Sequence, residues 1–340
     1  MGKQTMRVCD WIAEYLKSIG VKRVHGLMGG GAAGLNDGFI KQSMPYICYH
    51  NEQGAGHAAI GESKYTGQLA VVNPTTGCAG TNCATSVLDA WQDGVPVMFI
   101  SGNVRKDTCS GYINNTKKLN IRKYGIQEHH IVDTYRSITK MAVFVTDPKD
   151  VRYTIEQAVY EAKSGRPGPV WIDIPGDVQL APMPDNSESF RPPAGFVYDS
   201  FQSVRDAIAA AQRPIVLAGY GIRQSGTVEY FKQFIEQYQI PFVSTYGARD
   251  YVPETHQLSI GTVGQRGSRA GNFALQNADL LLILGSSLNA SVVGYDPQQF
   301  APVAKKIMVD GDRDELNKDI VTIDEKVQVK LVEFFLGMLK

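Results

Sequence analysis

Apolar positions along the chain recur with two periods that alternate. In RVCDWIAEYLKSIG, Val8, Trp11, Ile12, Tyr15, Leu16 and Ile19 fall at the three-to-four spacing that lines one face of a helix. VKRVHGLM follows as a short strand-like run. LAVVN, VPVMFIS, MAVFV and PVWIDIP repeat that type, with helical stretches such as TNCATSVLDAWQ and KDVRYTIEQAVYEAKSG between them. Short apolar strands separated by amphipathic helices predict βαβ units and a mostly parallel sheet. Near residue 176 the pattern stops. GDVQLAPMPDNSESFRPPAGFVYD holds four prolines and little periodicity. The alternation resumes with PIVLAGYG, IPFVSTYG, DLLLILGSS and KKIMVDGD, and VQVKLVEFFLGMLK supplies a last strand and helix. The fold class expected is α/β, with two doubly wound, mostly parallel-sheet domains at residues 1–176 and 200–340 and a linker at 177–199.

Composition narrows the function classes. A chain of 340 residues can bury two ordinary cores. Thirty-four basic residues balance thirty-four acidic ones, without Lys/Arg blocks, so nothing favours nucleic acid or an anionic membrane as a partner. No apolar run reaches the roughly 18 residues of a spanning helix, and MGKQTMRVCDW lacks a signal-peptide core. Met6 breaks the myristoylation pattern that Met-Gly would open. Five cysteines without a C-x-x-C argue against a disulfide framework or zinc knuckle. A cytoplasmic location is expected.

Two glycine-rich stretches carry candidate chemistry. GGGAAG matches G-x-G-x-x-G through Gly29, Gly31 and Gly34, with Glu52 about 20 residues downstream, as in a nicotinamide-binding βαβ unit. Asn36, Asp37 and Gly38 are a poor continuation of a helix, and Glu52 is followed by helix-like GAGHAAIG, so a dehydrogenase is disfavoured. Taken alone, Asn51 reads as a helix cap with Glu52 complementing the helix dipole. TTGCAGTN reads as a glycine turn before a helix, and Gln127 as a solvated polar residue near a helix start. Glu128, His129 and His130 are adjacent and point apart on a helix, so solvated side chains are expected there and no metal site. His57 is expected in the core or an interface, and Cys78 and Cys83 as packed thiols.

Longer motifs fall in a fixed order: NEQGAGHAAIGESKYTG, then AVVNPTTGCAGTNCATSVLDAWQDGVPVMFISGNV, then YGIQE, then SGRPGPVWIDIPGDVQ. Together they resemble the pyrimidine-binding domain of thiamine-diphosphate enzymes of the acetolactate synthase group. RPIVLAGYGIRQSG, GSRAGNFALQNADLLLILGSSLN and KKIMVDGDRDEL resemble that family's central, Rossmann-like domain. The resemblance implies a thiamine-diphosphate-binding fold followed by a Rossmann-like one. It makes Glu52 the catalytic glutamate that hydrogen-bonds N1′ of the aminopyrimidine and favours the tautomer that takes up the C2 proton. A raised carboxyl pKa would help, and Ala55, Ala58 and Ala59 could supply it by desolvation. It also implies cofactor contacts at Gly29, Gly30, Gly77, Thr81, Asn82 and Gln127, with Cys78 standing where the family usually has proline.

The family holds the diphosphate and its Mg²⁺ in a C-terminal domain marked by G-D-G and, further on, N-N. DGDRDELN at 310–317 lacks the second glycine, and Asn114-Asn115 has no G-D-G before it. The expectation is therefore a diphosphate-binding domain that was removed or resides on another chain. In the central domain, LAGYGIRQSG could face phosphates and Asp310 and Asp312 a ribose. Ser287 stands where many relatives carry arginine, so a structural spacer is preferred over an FAD site. The expected function is a subunit or fragment of a decarboxylase or carboligase acting on a 2-oxo acid, assembled as a homo-oligomer. The alternative is a catalytically silent interaction or regulatory subunit that keeps the fold.

Overall fold

The computed structural model describes residues 5–193 and 200–340. The chain forms two compact units, one up to Pro193 and one from Ala194 onward.

In the first unit six strands form one sheet: β1 Val24–Gly26, β2 Tyr46–Cys48, β3 Ala70–Asn73, β4 Val97–Asn103, β5 Met141–Phe144 and β6 Val170–Pro175. Their order is β2-β1-β3-β4-β6-β5, and every pair is parallel. Helices α1 Val8–Ser18, α2 Ala33–Lys41, α3 Glu52–Thr66, α4 Cys78–Thr81, α5 Ala84–Asp93, α6 Ser110–Lys117, α7 Ile131–Tyr135, α8 Val151–Lys163 and α9 Gly176–Leu180 connect and flank them. All residues of β4 and β6 are buried, as expected of parallel strands covered on both faces. Because side chains alternate along a strand, β4 serves two cores. Met98 and Ile100 pack with Ile12 and Leu16 of α1, Phe39 of α2 and Ile155 of α8. Val97 and Phe99 pack with Ala55 and Ala59 of α3, Val87 of α5 and Tyr135 of α7. There Trp171 is sandwiched, 5.1 Å from Phe99 and 4.3 Å from Tyr135 between ring centroids. Burying each such ring contributes about 1.5–3 kcal/mol.

Two expectations change at this level. Helix α2 runs straight through Asn36, Asp37 and Gly38. Gly38 is needed there because a Cβ would lie 2.5 Å from the carbonyl oxygen of Cys9, so the two helices cross in close contact. Asp37 meanwhile pairs with Arg7 at 2.6 Å. The segment read as linker from 177 begins as part of the first unit. Val178 and Gln179 of α9 are buried, and the Gln179 side chain bonds Leu35 N, Gly31 O and Ile174 O. Ser189 and Phe190 N donate to Glu156 of α8. Its last part, 194–199, lies outside the described residues.

In the second unit, β7 Pro214–Ala218, β8 Phe242–Ser244, β9 Ser259–Thr262, β10 Leu280–Leu284, β11 Lys305–Asp310 and β12 Glu325–Gln328 form another all-parallel sheet. The order is β12-β11-β10-β7-β8-β9, that of dinucleotide-binding doubly wound folds. No described helix is long and apolar enough to cross a membrane.

Candidate active site

Each candidate residue follows the carboxyl end of a strand in the first sheet. Gly29 and Gly30 follow β1, Glu52 follows β2, Gly77, Thr81 and Asn82 follow β3, and Gln127 lies between β4 and β5. The strand order reverses between β1 and β3, where open α/β sheets place their ligands.

Glu52 is the first residue of α3. Asn51, in extended conformation, caps the helix by accepting from Gly54 N at 2.6 Å. A carboxylate in that first turn is favoured by the helix dipole. Ala55 and Ala59 turn into the core, while Ala58 is only half-buried. Gly56 has Ser86 where a Cβ would stand, so α3 lies close to α5. Half-buried Glu52 accepts a hydrogen bond through Oε2 from Asn82 Nδ2 at 2.8 Å. Its charge reinforces burial in pushing up the Cys83 thiol and the Tyr46 phenol. Cys83 is thus a packed, unreactive thiol. Cys78 is exposed instead, because it opens α4 at the rim.

Glu52, Cys78, Ala79, Thr81 and Asn82 line an open depression of about 460 Å³. The structure thus brings together three of the predicted residues, Glu52, Thr81 and Asn82. Gly77 and Gln127 meet each other beside them. Gly77 has φ 59° and ψ −110°, and a Cβ there would overlap the Gln127 carbonyl oxygen. Gln127 is exposed and has φ 56°, in the left-handed region. Gly29 packs against Thr75, which would collide with a Cβ, whereas Gly30 faces open space. Neither lines the depression.

Sequence reasoning missed the polar network under this rim. Glu128 is 5% exposed, not solvated; it accepts from Ser110 Oγ and from Tyr124 N, each at 2.9 Å. Fully buried Asp173 accepts from Ser101 Oγ at 2.6 Å and Asn103 Nδ2 at 2.7 Å, and Trp171 Nε1 donates to Ser101. Burial, reinforced by the Glu128 charge, raises the Asp173 carboxyl to about 6, although the two hydrogen bonds oppose the shift. An acid in a β-strand next to Trp was the available signal. His57 is exposed and pairs with Asp89 of α5 at 3.3 Å, so it is not a core histidine. Among the described residues no group of three or more His, Cys, Asp or Glu could hold a metal ion.

The glycine turn of the second unit is occupied by its own backbone. Gly219 N and Gly221 N donate to Leu284 O and Gly285 O, both at 2.9 Å, and a Cβ at Gly219 would overlap Gly285 O. Asp310 accepts from Asp312 N, and Asp312 caps the next helix through Asp314 N. These amides and carboxylates take part in hydrogen bonds within the fold.

Comparison with known proteins gives two family matches. Residues 6–134 match the thiamine pyrophosphate enzyme N-terminal TPP binding domain, and residues 201–333 match the thiamine pyrophosphate enzyme central domain. The chain is 33% identical over 318 residues to an acetolactate synthase large subunit of Lactococcus lactis, spanning 92% of this chain and 53% of that protein. It is 34% identical over 321 residues to the acetolactate synthase isozyme 1 large subunit of Escherichia coli, spanning 91% and 53%. A probable acetolactate synthase large subunit of Methanocaldococcus jannaschii is 31% identical over 324 residues, spanning 93% and 53%. The chain spans about half the length of these relatives.

Proposed function

The chain belongs to the thiamine pyrophosphate enzymes, of which it carries the N-terminal and central domains, and from that premise we propose that it is the aminopyrimidine-binding part of an acetolactate-synthase-like enzyme. Such an enzyme, a lyase or transferase, decarboxylates a 2-oxo acid and passes the acyl unit to an acceptor. The observation that carries this reading is Glu52, set at the start of α3 by Asn51 and turned by Asn82 toward an open depression. The residues fit the cofactor: only Oε2 of this carboxylate is engaged among the described residues, and Oε1 is left for a ligand.

When bound, thiamine diphosphate supplies the nucleophile and electron sink that decarboxylation of a 2-oxo acid requires. Glu52 holds a proton at N1′ of the aminopyrimidine, the role of a positioned acid–base group. Asn82 orients Glu52. Thr81 lines the same depression, Gly29, Gly30 and Gly77 keep neighbouring backbone close, and Gln127 reaches cofactor or substrate from the opposite loop. The diphosphate and its Mg²⁺ would be held by a further domain, supplied in trans or by a separate segment. The relatives are named as large subunits, which favours an assembly of more than one chain, and a homo-oligomer is part of the proposal. Five free cysteines suit the reducing cytoplasm.

Calorimetric titration with thiamine diphosphate and Mg²⁺ tests this reading, run on residues 1–340 with and without a diphosphate-binding domain. Weak binding alone and tight binding with the added domain are expected. Tight Mg²⁺-dependent binding by residues 1–340 alone would place an anchor within them. Absence of binding under both conditions would favour a silent interaction subunit.

A further inference from the structure

Gln127 occupies a backbone conformation that only surrounding structure can hold. At φ 56° a residue with a Cβ is strained, and such strain persists where neighbours over-determine it. On one side the carbonyl of Gln127 presses on Gly77. On the other side stands Glu128, a buried carboxylate whose hydrogen-bond partners are neutral. Oε1 accepts from Tyr124 N, closing the five-residue loop 124–128 on itself. Oε2 accepts from Ser110 Oγ, tying that loop to α6. Gly125 N donates to Thr108 O at 2.9 Å, and Asn103 Nδ2 reaches His129 O at 3.4 Å. The loop is otherwise open to water, with Ile126 81% exposed and Tyr124 exposed.

We propose that Glu128 is a positioning residue, whose buried carboxylate ties the 124–128 loop to α6 and thereby presents Gln127 against Gly77 at the rim of the Glu52 depression. Removing one partner of a buried polar pair leaves the other unsatisfied, so the tether fails as a unit. Among the described residues the carboxylate has no cationic hydrogen-bond partner, so geometry rather than charge pairing accounts for its place. Its role toward catalysis rests on the reading that Gln127 faces cofactor or substrate.

The test uses Glu128→Ala, Glu128→Gln and Ser110→Ala, read first by hydrogen exchange in the 340-residue chain. Glu128→Ala should speed exchange of the Tyr124 and Gly125 amides, which Glu128 Oε1 and Thr108 O hold, by roughly 10- to 100-fold while β4 and β6 stay protected. Glu128→Gln should stay near wild type, because its amide oxygen can accept from Tyr124 N and its NH₂ can donate to Ser110 Oγ. Ser110→Ala should loosen the same amides by a smaller factor, and it keeps the test open where Glu128→Ala does not fold. In the active holoenzyme Glu128→Ala should cost about 10² in kcat/KM, as expected for a displaced contact residue, with Glu128→Gln restoring it. Unchanged exchange at Tyr124 and Gly125 in Glu128→Ala or Ser110→Ala would overturn the tether, and so would a Glu128→Gln variant as loose as alanine. If Gln127→Ala leaves turnover intact while Glu128→Ala loosens the loop, the assignment of Gln127 to the site fails and the tether stands.

Discussion

After β1 of the first sheet, Gly29 and Gly31 pack against Thr75 and Thr76 of the loop beyond β3; after β7 of the second, Gly219 and Gly221 pack against Gly285 beyond β10. Both sheets are all-parallel, both reverse strand order at that point, and both seal it with glycine. The openings lie to one side. In the first unit the depression is lined by Glu52, Cys78, Ala79, Thr81 and Asn82. In the second a cavity of about 280 Å³ is lined by Tyr246, Thr262, Val263, Gln265, Arg266, Ser291 and Val292, with no carboxylate. The units also differ inside: Asp10, Glu128 and Asp173 are buried acids of the first, and the described residues of the second bury none. Both units are doubly wound parallel sheets of different strand order, and the buried acids and the depression lined by Glu52 belong to the first. Strand order distinguishes the two folds, but which of them carries a candidate site is read from its residues and not from the architecture.

The sharpest way to break that contrast is to remove the acid. Glu52→Gln should lower holoenzyme turnover by about 10²–10⁴ with an unchanged melting temperature, while Arg266→Ala in the other cavity should change it at most a few-fold. Equal effects in steady-state assays would erase the distinction.

Buried acids give a second handle, through pH. Asp173 titrates at about 6 in the folded unit and near ~3.9 when unfolded. Between those values the folded state binds more protons, so its stabilising protonated form is complete below ~4 and is lost as pH rises through 6. That amounts to about 3 kcal/mol. Urea titrations should show the transition of the first unit weakening relative to Asp173→Asn from pH 4 to 6 and levelling above, with that of the second unit free of this step.

Glycine substitutions should separate stability from activity. Gly77→Ala meets a forbidden backbone conformation worth about 1–3 kcal/mol and collides with Gln127 O. Gly219→Ala collides with Gly285 O in the second unit. Calorimetry should find both destabilised, and only Gly77→Ala should lose activity in excess of its unfolded fraction. A smaller effect than that of Glu52→Gln is expected of Asn82→Ala, which removes one hydrogen bond to Glu52 and should cost roughly 5- to 10-fold in kcat.

Much of this molecule is written locally. The apolar runs at 97–103, 170–175 and 280–284 became fully buried strands because their period of two faces a core on either side. Asn51 three residues before Gly54 is enough to start α3 and to place Glu52 in its first turn. The order of motifs likewise pointed to the family, since each is contiguous. β2 was invisible because Tyr46–Cys48 is too short to show a period, and Tyr46 and Ile47 are only partly buried while Cys48 is exposed. What tertiary structure decided are the meetings between segments far apart in the chain. Asn82 bonds Glu52 across 30 positions, Gln127 O faces Gly77, and Glu128 is buried beneath an exposed loop although its neighbours in sequence are polar. Gly38 inside α2 likewise makes sense only once α1 crosses it. Sequence by itself determined the longer strands and helices and where the acid stands, because periodicity and capping act within a few residues. Only the fold decided which loops meet around that acid, since contact across a sheet depends on strand order and on how closely backbones approach.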